Sequence, residues 1–298
     1  MHVGVTLLDG GVGQELVRRA GGRPSPLWST QAMLDHPGVL QAVHADYFAA
    51  GADIATANTY AIHHDRLAPD GLDHLFGALH AAALAEVRAA REAHGRGRLA
   101  GAIGPLGATY RPDLHPDPAT AVPLYAEIVG ILAPACDLIV FESVASLAHA
   151  RAALDAAAGA DRPVWLSVTL DDEDGTRLRS GEPVAGVLPI LAVGGAAAVL
   201  ANCSAPEAMP AALDIFARAG LPFGAYANGF AQITKAFLEQ RPTTDALSAR
   251  RDMGPAIYAD HVMGWVGQGA TIVGGCCETG PAHIAEIARR LREAGLHD

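Results

Sequence analysis

The chain has 298 residues, half of them apolar, with 21 Lys and Arg against 32 Asp and Glu and a formal net charge of −11. That length allows one large core, and an acidic excess spread along the sequence excludes a nucleic-acid surface, which needs clustered Lys and Arg. Four cysteines are too few for a secreted disulfide scaffold and are expected as thiols or metal ligands in a reducing compartment. The opening residues, MHVGVTLLDGG, lack a basic leader before a sustained apolar run, and longer apolar stretches are broken before about 18 residues. A soluble, cytoplasmic protein acting on small molecules, away from any membrane, is therefore expected; a homo-oligomer stays open.

Eight short β-type runs follow in chain order: Val3 to Leu8, Asp53 to Ala57, Arg98 to Ile103, Asp137 to Phe141, Val164 to Val168, Ala197 to Ala201, Pro222 to Ala225 and Ala270 to Val273. Most are continuously apolar, as strands covered on both faces are. Helical patterns lie between them, among them PGVLQAVHADYFAAGA, HLFGALHAAALAEVRAAREAHG and the C-terminal PAHIAEIARRLREAGLHD, with apolar residues recurring at three and four positions. Alternation of this kind implies βαβ units and a parallel sheet. Eight units in this length predict an α/β fold with a single (β/α)8 TIM barrel over residues 1–298. The competitor is a doubly wound open sheet, but DGGVGQEL, whose helix is expected to begin near Gln14, lacks the G-x-G-x-x-G spacing of a dinucleotide loop. The polar insert LDDEDGTRLRSGEP, 170–183, is expected to be a loop over the barrel mouth.

Barrel enzymes build their sites where strands end. The polar residues predicted there are Asp9 with Gly10 and Gly11 after the first strand, Thr56, Asn58 and Thr59 after the second, and Glu142 after the fourth. Asn202 and Cys203 follow the sixth, Asn228 the seventh, and Cys276 and Cys277 the eighth. Three cysteines thus fall on one rim, from two nearby strands. A lone cysteine is usually a small buried hydrophobe, which is the expectation for Cys136. The alternative for the adjacent pair is a strained vicinal disulfide, because neighbouring Cα atoms about 3.8 Å apart lie below the ordinary disulfide range.

Together the three favour a metal, and three thiolates with one open position describe a catalytic zinc. Such a site accepts a further sulfur ligand and deprotonates a bound thiol, which makes the competent nucleophile at neutral pH. That chemistry points to alkyl transfer onto sulfur. The N–H groups of the Asp9 to Gly11 turn offer a carboxylate site, and Asp9 and Glu142 offer partners for an ammonium, so the acceptor is expected to be an amino acid with a side-chain thiol. Adjacent His63 and His64, at a helix start, are expected to be solvated.

Several stretches carry a family resemblance over nearly the whole chain: LLDGGVGQEL, PLWST, HADYFAAGADIATANTY, GAIGP, FES, ANCS, YANG and IVGGCCETGPAHI. With them the sequence resembles the homocysteine S-methyltransferase family of zinc-dependent barrel enzymes. The resemblance implies Zn2+ on Cys203, Cys276 and Cys277, and homocysteine held by Asp9, Gly10, Gly11 and Glu142, with Thr56, Asn58 and Asn228 as further substrate-binding residues. It also implies methyl transfer from an activated small-molecule donor to the homocysteine thiolate, giving methionine. Tyr60 is expected to pack or to touch the donor. Alternatives are another small thiol or selenol acceptor, a methyl carrier protein acting in trans, and, from another class, a non-catalytic metal or redox-switch barrel. The methyl donor is not named by any rule of loop composition.

Overall fold

The computed structural model describes residues 4–22, 25–230 and 249–298, so Val3 of the first predicted strand lies outside them. Eight parallel strands form one sheet: β1 (Thr6–Leu7), β2 (Ile54–Thr56), β3 (Arg98–Ile103), β4 (Leu138–Val144), β5 (Val164–Val168), β6 (Ala198–Asn202), β7 (Phe223–Tyr226) and β8 (Ile272–Val273). Their order is β1-β8-β7-β6-β5-β4-β3-β2. The two ends meet through a parallel bridge between Leu8 and Ile54, with Asp53 N–H donating to Leu7 O at 2.7 Å and Asp9 N–H to Ile54 O at 3.1 Å. The sheet therefore closes into the predicted barrel.

β3 and β5 occupy their predicted residues. β4 instead continues through an irregularity after Phe141 to Val144, which puts Glu142 inside the strand and not beyond it. Thr56 and Asn202 are likewise the last residues of their strands, and the first helix begins at Val12, before Gln14. The long helical patterns fold as Val39–Ala49, Phe76–His94 and Pro281–Glu293.

Apolar residues form two layers. One cluster includes Ile54, Ala100, Ala102, Leu138, Val140, Trp165, Ala198, Leu200 and Ile272. These alternate along their strands, as residues on one face of a sheet must, and fill the barrel interior. The larger cluster, with Leu99, Ile103, Ile139 and Phe141, packs the outer face of the strands on the helices. Continuing the inner alternation past Leu138 and Val140 reaches Glu142, and past Ala198 and Leu200 reaches Asn202. The period of two thus carries both polar side chains onto the axis at the C-terminal end.

The 170–183 insert is a hairpin, with antiparallel bridges between Leu170 and Leu178 and between Arg177 and Pro183. Among the described residues no helix is long and apolar enough to cross a membrane.

Candidate active site

Cys203 follows the last residue of β6, and Cys276 and Cys277 follow β8 after Gly274 and Gly275. Their three Sγ atoms lie within 4.8 Å of one another. The turn can approach the first strand because Gly11 has no side chain: a Cβ there would stand 2.6 Å from Cys276 O and 3.2 Å from Cys277 Cα. Gln14 clamps the same turn, its Oε1 accepting Glu278 N–H at 2.7 Å and its amide donating to the Glu278 carboxylate.

Hydrogen bonds from Cys276 and Cys277 hold the Cys203 thiol well below its ordinary range, and bonding to Cys203 pushes the other two up. The fit to zinc follows from the donors: all three are soft, and sulfurs 2.3 Å from a tetrahedral zinc stand about 3.8 Å apart, so only a small contraction is required. Cys136 is buried away from this group and burial pushes its thiol up to about 12.

A cavity over the sulfurs is lined by nine of the ten predicted site residues: Asp9, Gly10, Gly11, Thr56, Asn58, Glu142, Cys203, Cys276 and Cys277. Asn228 is the exception; it is buried in its own turn, where its carboxamide oxygen accepts Phe230 N–H at 3.2 Å. Asp9 accepts from the Thr56 N–H and hydroxyl at 2.6 and 2.8 Å, yet burial pushes it up to about 7. Glu142 accepts from the Tyr226 hydroxyl at 2.8 Å, and burial pushes it up to about 8. Among the described residues neither carboxylate pairs with a Lys or Arg. Asn58 presents an amide nitrogen that has no hydrogen-bond partner among the described residues. Gly11 N–H donates to Thr279 O at 2.9 Å and so is not available to an anion.

Among the described residues five non-glycines have positive φ: Trp28, Tyr110, Ser143, Cys203 and Glu278. Three line the cavity, and the other two adjoin Glu142 and Cys277. Such backbone costs of order 1–3 kcal/mol per residue and persists where the surroundings over-determine it, most often at functional sites. Around Cys203 the surroundings are explicit, because Asn202 Oδ1 accepts Ser143 N–H at 2.9 Å and the Ser167 hydroxyl at 2.8 Å, while its Nδ2 donates to Ser143 Oγ at 3.1 Å.

Sequence reasoning did not single out Tyr110, Tyr226 or Tyr258. Tyr226 had a signal, being the next residue of a predicted strand; the other two lie in a loop and a helix with no local pattern to mark them. Tyr60 lines the cavity, edge-on to Trp28 at 6.4 Å between ring centroids, with its hydroxyl 2.9 Å from Thr109 Oγ1. Of the paired histidines, His64 is half-exposed between Asp73 and Glu127. His63, expected in solvent, is buried with Nε2 on Tyr60 O at 3.0 Å, because its ring packs edge-on against Tyr125 of a neighbouring helix, 6.4 Å between ring centroids.

A closed parallel barrel with three cysteines converging at the C-terminal ends of β6 and β8, beneath a cavity holding two unpaired carboxylates, defines a thiolate-centred barrel enzyme. The sequence profile of the homocysteine S-methyltransferase family matches residues 6–291, and the chain belongs to that family. It is similar to the homocysteine S-methyltransferase of Escherichia coli strain K12, with 29% identity over 96% of this chain and 95% of the other. It is also similar to a selenocysteine Se-methyltransferase of Brassica oleracea var. italica, with 25% identity over 97% and 89%. The crystal structure of the metallated E. coli homocysteine methyltransferase MmuM superposes with a TM-score of 0.80 at 29% identity, covering 96% of each chain.

Proposed function

We propose that this protein transfers a methyl group from an activated small-molecule donor to the sulfur of homocysteine, giving methionine, and that residues 1–298 act as one homocysteine-binding domain in the cytoplasm. The observation that carries the reading is the convergence of Cys203, Cys276 and Cys277 within 4.8 Å. These three would hold Zn2+, which when bound lowers the pKa of a thiol ligand and orients its sulfur for attack.

The rest of the chemistry belongs to the chain. Two buried carboxylates without a cationic partner are expensive unless a ligand supplies the cation, and the homocysteine ammonium does so between Asp9 and Glu142. Thr56 orients the first and Tyr226 the second. The substrate carboxylate is taken by Gly10 and the first turn of helix Val12–Arg19, whose N-terminal end favours an anion, and by the unpartnered Asn58 amide. Attack is a direct in-line displacement, in which the sulfur takes the methyl carbon and the donor departs with the bonding pair. No general base is required at sulfur, because the thiol proton is lost on binding. A selenol acceptor is the second reading, favoured by the similarity to the selenocysteine Se-methyltransferase. The test is methionine formation by reduced protein of measured zinc content, in wild type and in each Cys→Ala variant.

A further inference from the structure

An in-line displacement sets the nucleophile and the departing group on opposite sides of the methyl carbon. The cysteine sulfurs sit after β6 and β8, on the arc centred on β7, and β3 stands opposite β7 in the closed ring. The departing part of the donor therefore faces the wall raised by the loops after β2 and β3, where Tyr60, Arg66, Gly107 and Thr109 line the same cavity as the cysteines. Among the described residues Arg66 is the only Lys or Arg on that cavity. It stands in the short helix His64–Leu67. Its Nη2 donates to Pro105 O at 2.9 Å, and its guanidinium carbon lies 5.8 Å from the centre of the Tyr60 ring. The side chain is thus held in place, yet its charge is not met. Among the described residues Nε is buried without a hydrogen-bond partner and Arg66 enters no ion pair, while the neighbouring Asp65 carboxylate accepts Gly107 N–H at 2.5 Å.

We propose that Arg66 determines specificity on the donor side by receiving a carboxylate carried by the methyl donor. This assignment rests on the methyl-transfer reading and names the donor's chemistry within it. A guanidinium fixed by a carbonyl and an aromatic ring, with N–H groups to spare, is pre-organised for a carboxylate, which takes two parallel hydrogen bonds from it. A buried donor without an acceptor is costly until the ligand supplies one. A betaine-type or sulfonium donor with a carboxylate then lies with its positive, methyl-bearing end toward the sulfurs and its negative end on Arg66. The donor's own charges orient the methyl for attack, and a donor with no anion leaves Arg66 unpaired. Arg66→Gln removes the charge and keeps an amide donor for Pro105 O, and Arg66→Lys keeps the charge without the fork.

The experiment compares donors that differ only in the anion, glycine betaine against choline and S-methylmethionine against its methyl ester, in zinc-loaded wild type, Arg66→Gln and Arg66→Lys. Affinity is read as KM or, for a compound that is not turned over, as an inhibition constant, with thermal unfolding as the fold control. The expected result is a wild-type preference for the carboxylate member of a pair that falls about tenfold or more in Arg66→Gln, is largely kept in Arg66→Lys, and leaves the homocysteine KM where it was. A folded Arg66→Gln protein with the wild-type preference overturns the assignment, as does an equal loss for both members of a pair, which would make Arg66 only a pin for Pro105. A rise in the homocysteine KM with the donor preference intact overturns it too, by giving Arg66 to the acceptor. Zinc-loaded wild type that forms no methionine from any donor overturns the methyl-transfer reading itself, and the role of Arg66 with it.

Discussion

Asp9 and Thr56 meet twice, the carboxylate accepting both the backbone N–H and the hydroxyl of the threonine at 2.6 and 2.8 Å. The pair joins the ends of two strands that are far apart in sequence and adjacent in the closed barrel. It leaves Asp9 fixed in direction, deeply buried and, among the described residues, without a base to neutralise it. That arrangement supports the proposal that Asp9 receives the ammonium of the substrate.

Replacing the hydroxyl alone tests that arrangement. Thr56→Val keeps the backbone bond and the side-chain shape, so the loss is one hydrogen bond to a charged acceptor, about 1.5 kcal/mol. The homocysteine KM is expected to rise about tenfold while zinc content stays at the wild-type level. An unchanged KM would remove Asp9 from the binding site.

Glu142 gives a prediction in pH. Its carboxyl is raised from 4.5 to about 8 by burial, so the folded ligand-free protein keeps a proton that the unfolded chain releases above about pH 4.5. Stability from this group is full below that pH and is lost as pH climbs toward 8. Glu142→Gln removes the slope, so in urea unfolding the variant should gain on wild type between pH 5 and pH 8. A difference that stays constant over that interval contradicts the assignment.

At the acid end the sign reverses. His44 lies fully buried in helix Val39–Ala49 with no partner for either ring nitrogen among the described residues, and burial lowers it from 6.5 to about 3. The unfolded chain then binds the extra proton, and stability falls as pH drops below 6.5 by up to about 1.4 kcal/mol per pH unit. His44→Leu is expected to flatten that limb between pH 6 and pH 4, and parallel limbs in the two proteins would refute the account.

Tyr258 ties the two strand ends that lead into the site, its hydroxyl donating to Ala227 O and Gly274 O at 2.9 Å each. Tyr258→Phe leaves both buried carbonyls short of that donor, at about 1–3 kcal/mol. A melting point lower by roughly several degrees, together with faster zinc loss to a chelator, is expected. Wild-type values in both would show that the strand ends are held by other bonds.

The barrel was legible because strands covered on both faces must be apolar, and runs such as Val164–Val168 have no other use. Boundaries failed where the closing context decides them: β4 carries Glu142 inside it because β5 pairs with it as far as Val144, which no local pattern announces. The cysteines and Asp9 were legible because strand ends are where a barrel must place its chemistry. Arg66 and Tyr258 were not, because their partners lie on other elements and only the folded loops bring them together. His63 misled for the same reason, since its burial is set by the neighbouring elements and not by the helix that begins beside it.

The most direct test of the central claim is methionine formation from homocysteine by reduced protein, with zinc content measured in wild type and in Cys203→Ala, Cys276→Ala and Cys277→Ala, against sulfonium, betaine-type and methylfolate donors. The account predicts turnover with one donor class in the zinc-loaded wild type, and loss of zinc and turnover together in every variant. Methionine formed at the wild-type rate by a zinc-free variant would contradict it.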